Sequence, residues 1–194
     1  MTSSIVYRTK EVTSLLLTID PGTEFRRIVD DFEEIHYPPL RVNPELVSFA
    51  LLELVSNSIR AHREKGITDA VLVQIAAEGG ELRARVQDSG RGFDPSLLPY
   101  DIDAAPENVD LMSDAFAEYR RRHDGSRFGM GLYVAKKTFR KFQLAFVDAG
   151  DRPCPWFSGK VKGTRIDMTL PLARPEDDAA ADVEEISSFE EAVQ

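Results

Sequence analysis

Apolar residues along this chain change their spacing several times, and each change marks an element. Val12–Ile19, "VTSLLLTI", is dense in aliphatic and β-branched residues and predicts a strand. Asp20-Pro21 then offers an N-cap and a first-turn proline, and Phe25, Ile28, Val29, Phe32 and Ile35 recur at helical spacing. Residues 21–35 therefore predict an amphipathic helix. "HYPPLRV" is a connection, because its two prolines forbid helix. Asn43-Pro44 repeats the helix-start chemistry. The pattern from Pro44 to about Lys65, closed near Gly66, predicts a helix apolar on most of its circumference and largely buried. "DAVLVQIAAE" and "ELRARVQ" flank Gly79-Gly80 and predict a hairpin whose second strand runs into Asp88.

Residues 95–127 break the pattern with Pro95, Pro99, Pro106 and the acidic "YDIDAAPENVD", apart from a helix around Asp110–His123. "RFGMGLYVAKKTFRKF" reads as a glycine turn opening a helix. "QLAFVDAG" and "TRIDMTLP" predict a last strand pair, joined by a long loop over 148–163. No internal repeat is visible. The order is strand, helix, helix, two strands, long insert, helix, two strands. It predicts an α/β fold with a mixed layer, not the βαβ alternation of a parallel sheet.

The 194 residues suit one domain, and 42% hydrophobic content allows a sizeable core. The longest apolar run, "LVSFALLELV", is too short and too interrupted to span a membrane. "MTSSIVYRTKEV" lacks the apolar centre of a signal peptide, so a cytoplasmic location is the expectation. The single Cys154 excludes an internal disulfide and a zinc–cysteine cluster. The net charge of −9 is uneven: residues 174–194 carry eight acids and one base, hence seven of the nine negative charges. That tail reads as disordered or weakly helical, leaving 1–173 as the domain. The nearly neutral body argues against nucleic-acid binding, which needs a basic surface.

Four short stretches carry candidate chemistry. "ELVSNSIR" puts Glu53 and Asn57 on one helix face, where polar groups in apolar surroundings need partners; alone, they fit a solvated stripe equally well. In "DSGRGFDP", Asp88 stands at a strand end and can accept from a buried donor such as the exocyclic amine of adenine, while Gly90 and Gly92 let the backbone approach a flat ring. "RFGMGL" sets Gly129 and Gly131 just before a helix, where exposed amides bind phosphate; no strand leads in and no third glycine follows, which disfavours a Rossmann turn. "GTRIDMTLP" opens a strand with a glycine-threonine pair.

Together, and in this order, these stretches resemble the N, G1, G2 and G3 boxes of the Bergerat-fold ATPases, which include gyrase, heat-shock chaperones, histidine kinases and mismatch-repair ATPases. The match covers roughly Val42 to Leu172. The resemblance implies a two-layer sandwich, with a mainly antiparallel sheet covered by helices on one face. It implies that Asn57 binds Mg²⁺, that Asp88 selects the adenine of ATP, and that Gly90 and Gly92 shape the adenine pocket. It further implies that the amides of Gly129, Met130, Gly131 and Leu132 wrap the phosphates, that Thr164 assists Asp88, and that Arg60 faces phosphate. Residues 95–127 become the ATP lid, with "RRRH" and Arg127 either near the γ-phosphate or solvated. The family's N box often ends in Lys-His; here Arg60-Ala61 stands there, so His62 is expected to be a surface helix residue.

Sensor histidine kinases carry a helical dimerisation segment ahead of this domain, and no such segment is expected here. His36 in "EIHYPPL" is a poor phospho-acceptor, since prolines follow it. The layout looks most like the anti-sigma-factor serine kinases, whose N-box glutamate is the general base; Glu53 stands at that position. The implied partner is a regulatory protein: a sigma factor, an anti-anti-sigma protein or another phospho-acceptor. The alternatives are an ATP-gated binding module without catalysis, and a histidine-kinase domain acting in trans. A homodimer is left open.

Overall fold

The computed structural model describes residues 3–6, 14–122 and 130–173, with 3–6 as backbone alone. Helix α2 (Pro44–Lys65) organises the site. The Asn43 side chain accepts from the Glu45 amide at 2.9 Å, Pro44 takes the first turn, and Gly66 closes the helix at φ +63°. Both ends fall where the sequence predicts. The burial is narrower than expected. Val47, Ala50, Leu51, Leu54, Val55, Ser58, Ile59 and His62 form one buried face, while Leu46 and Phe49 in the first turns are exposed.

Before it, helix α1 (Phe25–Glu33) is shorter than the predicted 21–35. Asp20 caps no helix: its carbonyl accepts from the Thr23 amide at 2.9 Å, so "DPGT" spends itself on a turn. Strands β1 (Ser3–Val6), β2 (Ser14–Ile19), β3 (Val71–Glu78), β4 (Glu81–Asp88), β5 (Lys141–Val147) and β6 (Gly163–Pro171) form one sheet in the order β1-β2-β3-β4-β6-β5, antiparallel at every pairing. The hairpin turn has Gly79 and Gly80 at φ +61° and +77°, the conformation a two-residue loop needs. β1 was not predicted, because "SSIV" is too short and too polar to show alternation.

On the inner sheet face, Leu17, Ile19, Val73, Ile75, Leu82, Val86 and Met168 meet Ile28 and Phe32 of α1, Leu51 and Val55 of α2, and Ala135 of helix α4 (Met130–Thr138) in one core. The other face carries Gln74, Arg83, Arg85 and Asp167, so helices cover one side only. The long insert is partly ordered by helix α3 (Asp114–Arg122), shorter than predicted because Ser113 caps it. Its Phe116 is buried, stacked on Tyr100, whose ring meets Tyr133 of α4 edge-on. Lys136 of α4 donates to the carbonyls of Ile102 and Ala104. The described part of the insert thus packs on α4.

Among the described residues, no helix is long and apolar enough to cross a membrane. The first two residues of the predicted Val12–Ile19 strand, His123, Arg127, Gly129 and the 174–194 tail lie outside the described residues.

Candidate functional site

β4 ends at Asp88, and three donors fix its carboxylate. Oδ1 accepts from the amides of Gly90 at 2.8 Å and Thr164 at 3.1 Å, and Oδ2 accepts from the Ser58 hydroxyl at 3.0 Å. Bonds of this charge-assisted kind are about twice as strong as neutral ones. They join β4, the loop after it, β6 and α2 at one carboxylate. Two glycines make room. A Cβ on Gly163 would stand 2.2 Å from the Asp88 carbonyl oxygen, and one on Gly92 would stand 2.8 Å from the Phe146 ring. Gly92 is also at φ +65°, which side-chain-bearing residues rarely adopt.

His62 corrects an expectation. It is no surface residue but fully buried, one turn beyond Ser58 on the same helix face. Its Nε2 accepts from the Ser89 amide at 3.1 Å, and Nδ1 lies 3.0 Å from the Asp69 carbonyl oxygen. An amide only donates and a carbonyl only accepts, so the proton is on Nδ1. Lys65, a turn further, donates to the Gly92 carbonyl at 3.1 Å. Ser58, His62 and Lys65 thus hold the glycine loop onto α2. None was singled out for this in the sequence, although their spacing along one face of α2 was there to be read.

The other cluster lies where α2 meets the start of α4. A Cβ on Gly131 would be 2.6 Å from Asn57 Nδ2, 3.2 Å from Glu53 Cβ and 3.4 Å from Glu53 Oε2. Any larger residue there has to displace the Asn57 amide. Asn57 Oδ1 accepts from Arg60 Nη2 at 2.8 Å. Burial pulls the Arg60 guanidinium below its ordinary value, against Glu64, Tyr119 and Glu53, which favour its charge.

Between the two clusters opens a cavity of about 320 Å³. That is small for a drug-sized ligand site but within the usual range. Its walls include Leu54, Leu132 and Ile166, its polar groups Asn57, Ser58, Arg60, Asp88 and Thr164. Gly90 and Gly92 line it too, and Leu97, Leu98 and Tyr119 border it from the insert. Glu53, Met130 and Gly131 stand outside the lining; Glu53 and Gly131 are adjacent to Asn57. Of the residues singled out in the sequence, Asn57, Arg60, Asp88, Gly90, Gly92, Leu132 and Thr164 meet at this cavity.

Apolar walls and an anchored carboxylate suit a flat ring bearing an amine. Among the described residues, no cluster of three His, Cys, Asp or Glu could hold a metal alone. A single amide oxygen at the cavity fits a cation that arrives with phosphates and keeps several waters, as Mg²⁺ does.

The profile described as histidine kinase-, DNA gyrase B-, and HSP90-like ATPase matches residues 42–174. No curated protein matches the chain.

Proposed function

The chain belongs to the histidine kinase-, DNA gyrase B-, and HSP90-like ATPases, and on that footing we propose that its cavity binds ATP with Mg²⁺ and that the γ-phosphate passes to a hydroxyl of a partner protein. Asp88 accepts from the adenine amine, with Thr164, Gly90 and Ser58 holding the carboxylate still. The first-turn amides of α4, Met130 to Leu132, face the phosphates. Asn57 supplies a protein oxygen to Mg²⁺, which neutralises phosphate charge. Arg60 lies on the phosphate side.

The observation that carries the kinase reading is that Gly131 lies so near Asn57 and Glu53 that a Cβ on it would meet both side chains. It sets a carboxylate beside the turn that faces phosphate. Glu53 takes the proton of the acceptor hydroxyl as that oxygen attacks the γ-phosphorus; the bond to the β-phosphate oxygen breaks and ADP leaves. The layout resembles the anti-sigma-factor serine kinases, which favours a sigma-pathway regulator as the partner.

A second reading has its own support. Glu53 does not line the cavity, and the insert is tied to α4 by Tyr100, Phe116, Tyr133 and Lys136. An ATP-gated clamp without chemistry uses the same parts. Purified protein, γ-labelled ATP and candidate regulators separate the two: label on a regulator supports the kinase, and ATP-dependent binding without label supports the clamp.

A further inference from the structure

Arg60 stands three residues beyond Asn57 on α2, and both line the cavity. Its Nη2 donates to Asn57 Oδ1 at 2.8 Å. That is the oxygen which the function proposed above, on which this inference rests, gives to Mg²⁺. The oxygen has two lone pairs, but a guanidinium and a divalent cation held on it together repel each other at a few ångströms, so the two compete for it. On its α4 side the amide is hemmed in, since a Cβ on Gly131 would be 2.6 Å from its nitrogen. The group that has to move is the arginine.

A target for it exists within the same cavity. Arg60 is half-buried, and its charge is partly stripped of water. Its planar fork suits phosphate oxygens better than a single amide oxygen. Tyr119 of α3 borders the cavity as well, and the Arg60 charge draws its phenol down against the burial that raises it. The geometry points to Arg60 as a positioning residue that changes partner: it competes with Mg²⁺ for Asn57 Oδ1, and nucleotide phosphates release the amide by taking the guanidinium.

This makes a prediction of unusual sign. If phosphate binding has to break the Arg60–Asn57 bond, removing Asn57 helps nucleotide that comes without metal. ATP affinity is measured by calorimetry in EDTA and in excess Mg²⁺ for wild type, Asn57→Ala, Arg60→Met and the double variant. In EDTA, Asn57→Ala binds ATP about tenfold more tightly than wild type, the worth of a bond to a charged group. The double variant binds no more tightly than Arg60→Met, because no arginine remains to be freed. In Mg²⁺, Asn57→Ala loses most of the gain that the metal gives wild type. Unchanged or weaker binding by Asn57→Ala in EDTA overturns the competition. So does equal tightening in the Arg60→Met background. Should Arg60→Met fail to fold, Arg60→Gln replaces it with the same two outcomes. Failure of the site reading looks different: wild type then binds no ATP, or Asn57→Ala keeps the full magnesium effect.

Discussion

The amide nitrogen of Asn57 lies 2.6 Å from the point at which a Cβ on Gly131 would stand, so the proposed metal ligand and the turn at the start of α4 are built as one unit. Gly131→Ala forces Asn57 aside. Alanine favours helix over glycine by about 1 kcal/mol, which offsets part of an overpacking cost of roughly 1–3 kcal/mol. The expected result is a melting temperature within a few degrees of wild type and loss of the magnesium-dependent part of ATP binding. Melting curves and calorimetry check the two halves.

Gly163→Ala is expected to act on the fold itself. The new Cβ would be 2.2 Å from the Asp88 carbonyl oxygen, and backbone cannot swing away as a side chain can. A cost of about 3 kcal/mol, at roughly 2–4 °C per kcal/mol for a chain of this size, lowers the melting temperature by roughly 6–12 °C. Differential scanning calorimetry measures it.

His62→Ala and His36→Ala should diverge. Truncating His62 orphans the Ser89 amide and the Asp69 carbonyl and leaves a cavity, at a cost of roughly 2–5 kcal/mol. Both stability and ATP affinity fall, because the glycine loop loses its tie to α2. His36 is exposed, and its removal leaves both nearly unchanged. Thermal melts of the two variants, with and without ATP, make the comparison.

Much of this site was legible in the sequence because its parts are local. Asn43-Pro44 and Gly66 mark the ends of α2, Gly79-Gly80 marks the hairpin, and Asp88 follows the strand that the hairpin aligns. What was not legible depends on contacts between elements. Gly163 matters through the close approach of β6 to the Asp88 backbone, and Gly131 through the packing of α4 on α2. His62 reads as a polar residue near a helix end until the fold sets Ser89 and Asp69 against its ring. Asp20-Pro21 misled for a local reason: Gly22 follows, and the turn wins over the helix start.

Glu53→Gln separates the two readings of function. The substitution keeps size and hydrogen bonding but removes the proton acceptor. General-base catalysis contributes typically ~10²–10⁴-fold, so label transfer to the true partner falls by about that factor while ATP affinity barely changes. Transfer that persists in the variant removes Glu53 from the mechanism.

The most direct test of the site is the choice between ATP and GTP. Asp88→Asn can keep the Gly90 and Thr164 bonds through its remaining oxygen, and the Ser58 hydroxyl can rotate to accept from the new amide. The fold should therefore survive, while an adenine amine now meets a donor. Calorimetry with both nucleotides on wild type and variant is the measurement. The expected result is a strong wild-type preference for ATP, and ATP binding about ten- to a hundredfold weaker in Asp88→Asn, in line with the roughly 1.5–3 kcal/mol of a charged hydrogen bond. Equal wild-type affinity for ATP and GTP, or an Asp88→Asn protein that binds ATP as wild type does, would contradict the assignment of this cavity to adenine.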